Sequence, residues 1–342
     1  MELVNKITQP IKKVFSYIGQ AFALVFITLY EILSIILDDT IGLIFTKTLR
    51  KPFKKYEEEH PLWKKIKTII LLVIFLFIVF SFPTIYDYSI GVIFNGIFKF
   101  LGNILNGNMY GDILTEYGSK FTEGIRTTLY LSLIGTVMGL LIALLFSALV
   151  TIKINPTDST IKRFFKHLVR KIIKLYVTII RGTPMMVQAM ILFWGVRGVL
   201  NWDYLIAGLV TVTINTTAYL TEVLRGGIES IDKGQTEGAM SLGLNSVQTM
   251  LFVIYPQAIK NSMAAIGNEF VINIKDTAVL SVIMVEDIFR VAEIVQGKYI
   301  EFFPPFIIAA LIYLFLTSTV SAILRRVEKR LNLPSLALPS SN

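Results

Sequence analysis

Long apolar runs alternate with short, strongly basic stretches along most of this chain. A helix that crosses a bilayer needs about 20 consecutive, mostly apolar residues. Residues 68–86, 127–150, 204–221 and 302–324 are of that order and hold no charge. Residues 175–196 are interrupted only by Arg181, and residues 261–285 by Glu269, Lys275 and Asp276. The stretch 14–37 is long enough as well and contains Glu31. It reads either as a span or as an amphipathic helix lying in the interface. The pattern predicts an all-α integral membrane protein with a core of five spans, at about 121–150, 172–197, 204–224, 262–285 and 302–325. The core, residues 120–330, follows an N-terminal extension, residues 1–119, with one or two additional membrane helices and an extracytoplasmic segment. A short cytoplasmic tail, residues 331–342, closes the chain.

The basic stretches set the orientation, because Lys and Arg in short loops stay on the cytoplasmic side. Residues 47–67 hold eight of them and residues 153–174 hold seven, whereas 83–120 and 286–301 hold two each. The first pair is expected inside and the second outside. Composition agrees: 54% of residues are hydrophobic and 17% charged, against about 25% charged in soluble domains. The net charge of +9 sits beside spans, where it suits anionic membrane lipid, and does not form the single basic face of a nucleic-acid binder. With no Cys and only His60 and His167, thiolate and His-rich metal sites are excluded.

The most distinctive stretch is a polar island, residues 222–262, which the alternation places in the cytoplasm. Residues 235–242 have helical character, Gly243 is a plausible left-handed stop, and a second helix is expected from about Ser246 until Pro256 ends it. The spacing Glu237-Gly238-Ala239, three residues, Gly243, nine residues, Val253, one residue, Tyr255-Pro256-Gln257 resembles the cytoplasmic signature loop of bacterial ABC importer permeases. Further stretches, Arg181-Gly182-Thr183-Pro184 with Gln188, Ala218-Tyr219 with Glu222 and Arg225-Gly226-Gly227, and Lys275-Asp276-Thr277, are similar to the polar amino-acid subfamily. Met263-Ala264 stands where that subfamily usually carries Pro, so the next span is expected to start with less of a kink.

The resemblance covers roughly residues 120–330 and implies a type I ABC importer permease in a bacterial inner or plasma membrane, crossing it several times. It implies ABC ATPase subunits docked on the island through Glu237, Gly238, Ala239, Gly243, Pro256 and Gln257, with ATP and Mg on that partner. It also implies a second permease chain, identical or related, an extracytoplasmic substrate-binding protein, and a polar amino acid as cargo. The residues themselves are compatible with this: the chain has neither a phosphate-binding Gly-x-x-x-x-Gly-Lys-Ser/Thr loop nor a nucleophile triad, so it is expected to be a non-catalytic subunit without a cofactor of its own.

Charges inside spans mark the pathway candidates. Glu269 and Lys275 are six residues apart, on roughly opposite helix faces, and Asp276 shares the face of Glu269. With Asn273 they form either a lining for a zwitterion or a structural network at a break in the span. Driven by an ion gradient instead of ATP, the same three charges would serve as a relay. Asn215, Thr216, Thr217 and Tyr219 form a polar stripe in the third core span, suited to helix packing or to pathway lining. Gly182 and Pro184 make a rigid turn, where Arg181 can snorkel to headgroups or pair with an island carboxylate such as Glu222; Arg225 completes this structural set. Gly135 and Gly139 predict close helix packing.

Overall fold

The computed structural model describes residues 91–151, 154 and 159–331. The spans expected at 14–37 and 68–86, the basic stretch 47–67 and the tail beyond 331 lie outside the described residues. Regular structure among those described is entirely helical.

The expected outward loop is helical from residue 91 onward. Helix α1, Val92–Ile104, folds back on α2, Met109–Thr151, across a tight turn. Phe98 meets Phe121 with ring centroids 6.4 Å apart. The Thr122 hydroxyl donates to Asn95 Oδ1 at 2.8 Å. Asn108 Oδ1 accepts from the Gly111 amide at 3.2 Å and so caps α2. The first core span is therefore the later part of a 43-residue helix.

Helix α5, Tyr204–Glu229, is the hub of the bundle. Asp203 caps it by accepting from the Ile206 amide. It packs most extensively on α2, and two glycines there explain why. A Cβ on Gly135 would lie 2.4 Å from Val212 Cγ1, and one on Gly139 would lie 2.8 Å from Thr216 Cβ. Only hydrogen fits, so the two backbones approach closely, as the Gly-x-x-x-Gly spacing predicts. The hydroxyls of Ser132, Thr136, Thr211, Thr217 and Thr221 donate to carbonyls one turn back on their own helices, which satisfies them inside the apolar bundle.

The second core span is two helices. Helix α3, Thr160–Arg181, and α4, Met185–Leu200, meet at 106°, so the span expected at 172–197 is broken at the turn read at Gly182 and Pro184. Pro184 lacks an amide hydrogen and biases the residue before it against helix. The carbonyls released at the break find a partner in Gln188, whose Nε2 donates to Ile180 O at 2.8 Å and Thr183 O at 2.9 Å. Most of the basic stretch 153–174 is correspondingly the first part of α3 and not a loop.

Beyond α5 come the short helices α6, Lys233–Ser241, and α7, Ser246–Thr249, then a π-helical turn, Met250–Ile254, that leads into α8, Tyr255–Asp276. Pro256 was expected to end the helix that begins at Ser246. It opens α8 instead, because the wider turn before it replaces the hydrogen-bond ladder that a proline would break: the Tyr255 amide donates to Met250 O. After Asp276 the chain tightens into a 3-10 helix, Thr277–Ile283. The fourth core span thus changes helix type at the charged residues, as its composition suggested. Helix α9, Ile288–Tyr299, and α10, Phe303–Leu331, complete the chain. Asp287 caps α9 and accepts from Tyr313 of α10 at 2.8 Å. Near the end of α9, Lys298 pairs with Glu116 of α2. That hydrogen bond, with a second from Tyr299, holds the Glu116 carboxyl below its usual range.

Three of these helices, α2, α5 and α10, are long and apolar enough to cross a membrane; the bent pair α3–α4 is either a broken span, which would be a fourth, or a re-entrant loop. Helix α8 carries Lys260, Glu269, Lys275 and Asp276 and is held in the bundle by contacts with α2, α5 and α10.

The glycine contact gives a direct test. Gly139→Leu should lower the unfolding midpoint of the detergent-solubilised chain through overpacking of about 1–3 kcal/mol. Gly226→Ala, where a Cβ meets nothing within 4 Å, should leave the midpoint unchanged or slightly raised. Equal effects of the two substitutions in a thermal melt would rule out this packing account.

Candidate functional site

Helix α6, on the island that the charge pattern expects in the cytoplasm, is closed at both ends by its own sequence. Asp232 Oδ1 accepts from the Gly234 amide at 2.7 Å. At the other end Gly243 takes φ +86°, and the Leu244 amide returns to Ala239 O while that of Gly243 returns to Met240 O. That pair of bonds is a Schellman stop, and it needs the residue without a Cβ. Ala239 is buried against the body of the protein, whereas Glu237, Gly238 and Ser241 are exposed. The site of a Gly238 Cβ is open space. Gln257 Nε2 donates to Gln235 Oε1 at 3.3 Å and to Val253 O at 2.8 Å, so it ties α6 to the start of α8, next to Pro256. All six residues expected to couple thus lie on α6, its stop and the start of α8.

The sequence reading missed Leu242, which is 83% exposed at the end of this polar helix. A lone leucine immediately before a glycine stop was the available signal. A free apolar side chain beside an exposed helix face is a natural anchor for a partner.

Arg225 is fixed by two carboxylates of its own helix: its Nη2 lies 2.8 Å from Glu222 Oε2 and its Nη1 lies 2.6 Å from Glu229 Oε2. The pairing of Arg181 with Glu222 is therefore corrected. Glu222 is one turn from Arg225 on α5 and is engaged there. Arg181, at the last residue of α3 before Gly182, lies over the Tyr219 ring instead, 5.1 Å from its centroid. Tyr219 is exposed, unlike its helix neighbours Asn215, Thr216 and Thr217.

Two buried amides organise the polar core. Asn273, 2% exposed, donates both amide hydrogens across helices, to Thr136 Oγ1 of α2 and Thr216 Oγ1 of α5, each at 2.8 Å. Asn215 donates to Gln188 Oε1 at 3.3 Å and so braces the side chain that seals the α3–α4 break. Glu269 is 8% exposed and accepts no hydrogen bond among the described residues. The charges acting on it through space are those of Arg181 and Asp276. Lys275 is exposed and Asp276 half-buried, and among the described residues no ion pair joins the two. The structure thus brings Arg181, Tyr219 and Glu269 into one neighbourhood, while Asn215 and Asn273 are committed to holding helices together.

Comparison with known proteins agrees with this architecture. Residues 159–333 match the family described as the binding-protein-dependent transport system inner membrane component. A putative glutamine transport system permease protein of Rickettsia typhi is 34% identical over 211 residues, 61% of this chain and 91% of the relative. The glutamine transport system permease protein of Escherichia coli strain K12 is 33% identical over 217 residues, 62% and 92% of the two chains. Among solved structures, the crystal structure of an amino acid ABC transporter with histidines aligns with a TM-score of 0.55 at 35% identity, over 64% of this chain and 96% of that one. This chain belongs to the family of inner-membrane components of binding-protein-dependent transport systems: it is a non-catalytic permease subunit of an ABC importer, with the type I fold.

Proposed function

We propose that the chain forms, with a second permease chain, the pathway of an ATP-driven importer for a polar amino acid, glutamine being the first candidate. The observation that carries this reading is Glu269, a nearly buried carboxylate without a hydrogen-bond partner among the described residues, in reach of the field of Arg181. A buried charge left unsatisfied is costly, and a membrane protein keeps one where a ligand completes it. A free amino acid offers the complement: an ammonium for Glu269 and a carboxylate for Arg181, with Tyr219 beside them. Lys275 and Asp276, close by on α8, are the further candidates for lining. The names of the relatives support the substrate class.

Coupling follows the same chain of contacts. The ATPase subunits, which carry ATP and Mg, dock on α6 through its exposed face at Glu237, Gly238 and Leu242. Their movement reaches α8 through Ala239 and the Gln235–Gln257 bond. Helix α8 is pinned by Asn273 to α2 and α5, so a displacement of α6 is delivered to the level of Glu269 with little lost to bending. An extracytoplasmic binding protein supplies the substrate from the other side.

Two substitutions separate docking from substrate contact. Glu237→Arg should abolish co-purification of the ATPase with the tagged chain while leaving its unfolding midpoint unchanged, because Glu237 is exposed. Glu269→Gln should keep the ATPase and lower ATP-driven uptake at low substrate concentration by about tenfold, the worth of one charge-assisted hydrogen bond. An ATPase that stays bound to the first variant would refute the docking face, and full uptake by the second would make Glu269 a structural residue.

A further inference from the structure

The cytoplasmic half of the chain holds a cavity of about 790 Å³ that neither docking nor the pathway uses. It lies between α3, the end of α5, α6 and the π-helical turn. Lys166, Arg170, Lys174, Arg225 and Lys233 line it, against one carboxylate among the described residues, Glu229. Lys166, Arg170 and Lys174 follow one another at intervals of four and form a single stripe along α3. The opposite face of α3 is apolar and exposed at Ile161, Phe165, Leu168 and Ile172. A helix so divided belongs at the membrane boundary, with its cation stripe turned inward at the level of lipid headgroups.

The rest of the lining is of two kinds. Val150, Ile228, Met250 and Ile254 give it an apolar side. Thr249 supplies an independent observation: it is 2% exposed, it lines the cavity, and its hydroxyl finds no hydrogen-bond partner among the described residues. Buried hydroxyls are ordinarily satisfied, and those of Thr136, Thr211, Thr217 and Thr221 in the α2–α5 contact each donate to a carbonyl. A donor left open in a cation-lined cavity is suited to an acceptor-rich anion.

We infer that this cavity binds a phosphate-bearing anion, held by the α3 cation stripe and Lys233 with the Thr249 hydroxyl donating to a phosphate oxygen, and with the apolar wall receiving whatever the phosphate is attached to. A phospholipid headgroup and a small soluble phosphate share this chemistry. Since Lys233, Thr236 and Met240 of α6 form part of the wall, the bound anion bridges α6 to α3 and bears on coupling. That consequence rests on the docking role proposed for α6; the binding itself does not.

The test uses the full chain purified without its ATPase, so that failure of the docking proposal does not affect it. Short-chain phosphatidylglycerol and phosphatidylcholine are added separately and retained lipid is read by native mass spectrometry; inorganic phosphate is titrated by calorimetry. The double variant Lys174→Gln, Lys233→Gln should weaken the preferred anion about tenfold or more, as expected for lost charge-assisted contacts, and Thr249→Val should weaken it by a smaller factor. Glu229→Gln removes the only carboxylate among the described residues of the lining and should tighten binding, a gain that misfolding cannot mimic. Selective retention of phosphatidylglycerol with these effects identifies a headgroup site. Phosphate binding with the same effects and no lipid preference identifies a soluble ligand. If neither anion binds, or if binding ignores all three variants, the inference is overturned.

Discussion

Close approach between α2 and α5 is the constraint on which the rest of this bundle depends. Lipid is as apolar as leucine, so helices in a membrane gain little from hydrophobic contact alone and associate through tight packing and interhelical hydrogen bonds. Gly135 and Gly139 let the two backbones meet at a distance that any side chain would forbid. That contact brings Thr136 and Thr216 within reach of one amide, and Asn273 occupies the position and binds both. Each such bond is worth only about 0.6–1.7 kcal/mol in a membrane. Their importance is geometric: Asn273 fixes the rotation of α8, and with it the side on which Glu269 and Asp276 stand.

Around this rigid centre the irregular parts of the chain are placed where backbone groups can be satisfied without lipid. The α3–α4 break is sealed by Gln188, which Asn215 holds from α5. Before Pro256 a π-helical turn takes up the missing ladder bond, and beyond Asp276 the chain tightens into a 3-10 helix. Arg181 lies at the first of these irregularities and Asp276 at the last. Charge and broken helix thus occur together, and this is what a polar solute needs in order to cross an apolar bundle. The two ends of the chain of contacts are then the exposed helix α6 and the pair Arg181 and Glu269, with α8 between them.

Much of this was legible in the sequence, for identifiable reasons. The apolar runs mark the spans because their length is set by the bilayer. Gly243 was readable because a left-handed stop favours glycine, and the pair Gly135 and Gly139 because the close approach there leaves no room for a Cβ. What was not legible depended on partners distant in sequence. Nothing near Arg181 tells that Glu222 is held by Arg225, nor that Tyr219 lies beneath its guanidinium. Asn273 and Glu269 look alike as polar interruptions, yet one bonds two helices and the other accepts no hydrogen bond among the described residues. The bend of 106° at Pro184 and the passage of a helix through Pro256 are opposite outcomes for one residue type. They differ in what takes over the freed groups: a side chain, Gln188, at the bend, and a wider backbone turn before Pro256.

Hydrogen exchange on the detergent-solubilised chain, comparing the wild type with Asn273→Ala, tests the central claim most directly. If Asn273 makes α2, α5 and α8 one cooperative unit, the substitution should speed exchange together around Thr136, Thr216 and Asn273, on three helices far apart in sequence, and leave α6 unchanged. Faster exchange confined to α8 would show that the three helices open independently. It would contradict the view that a push on α6 is carried through a rigid polar core.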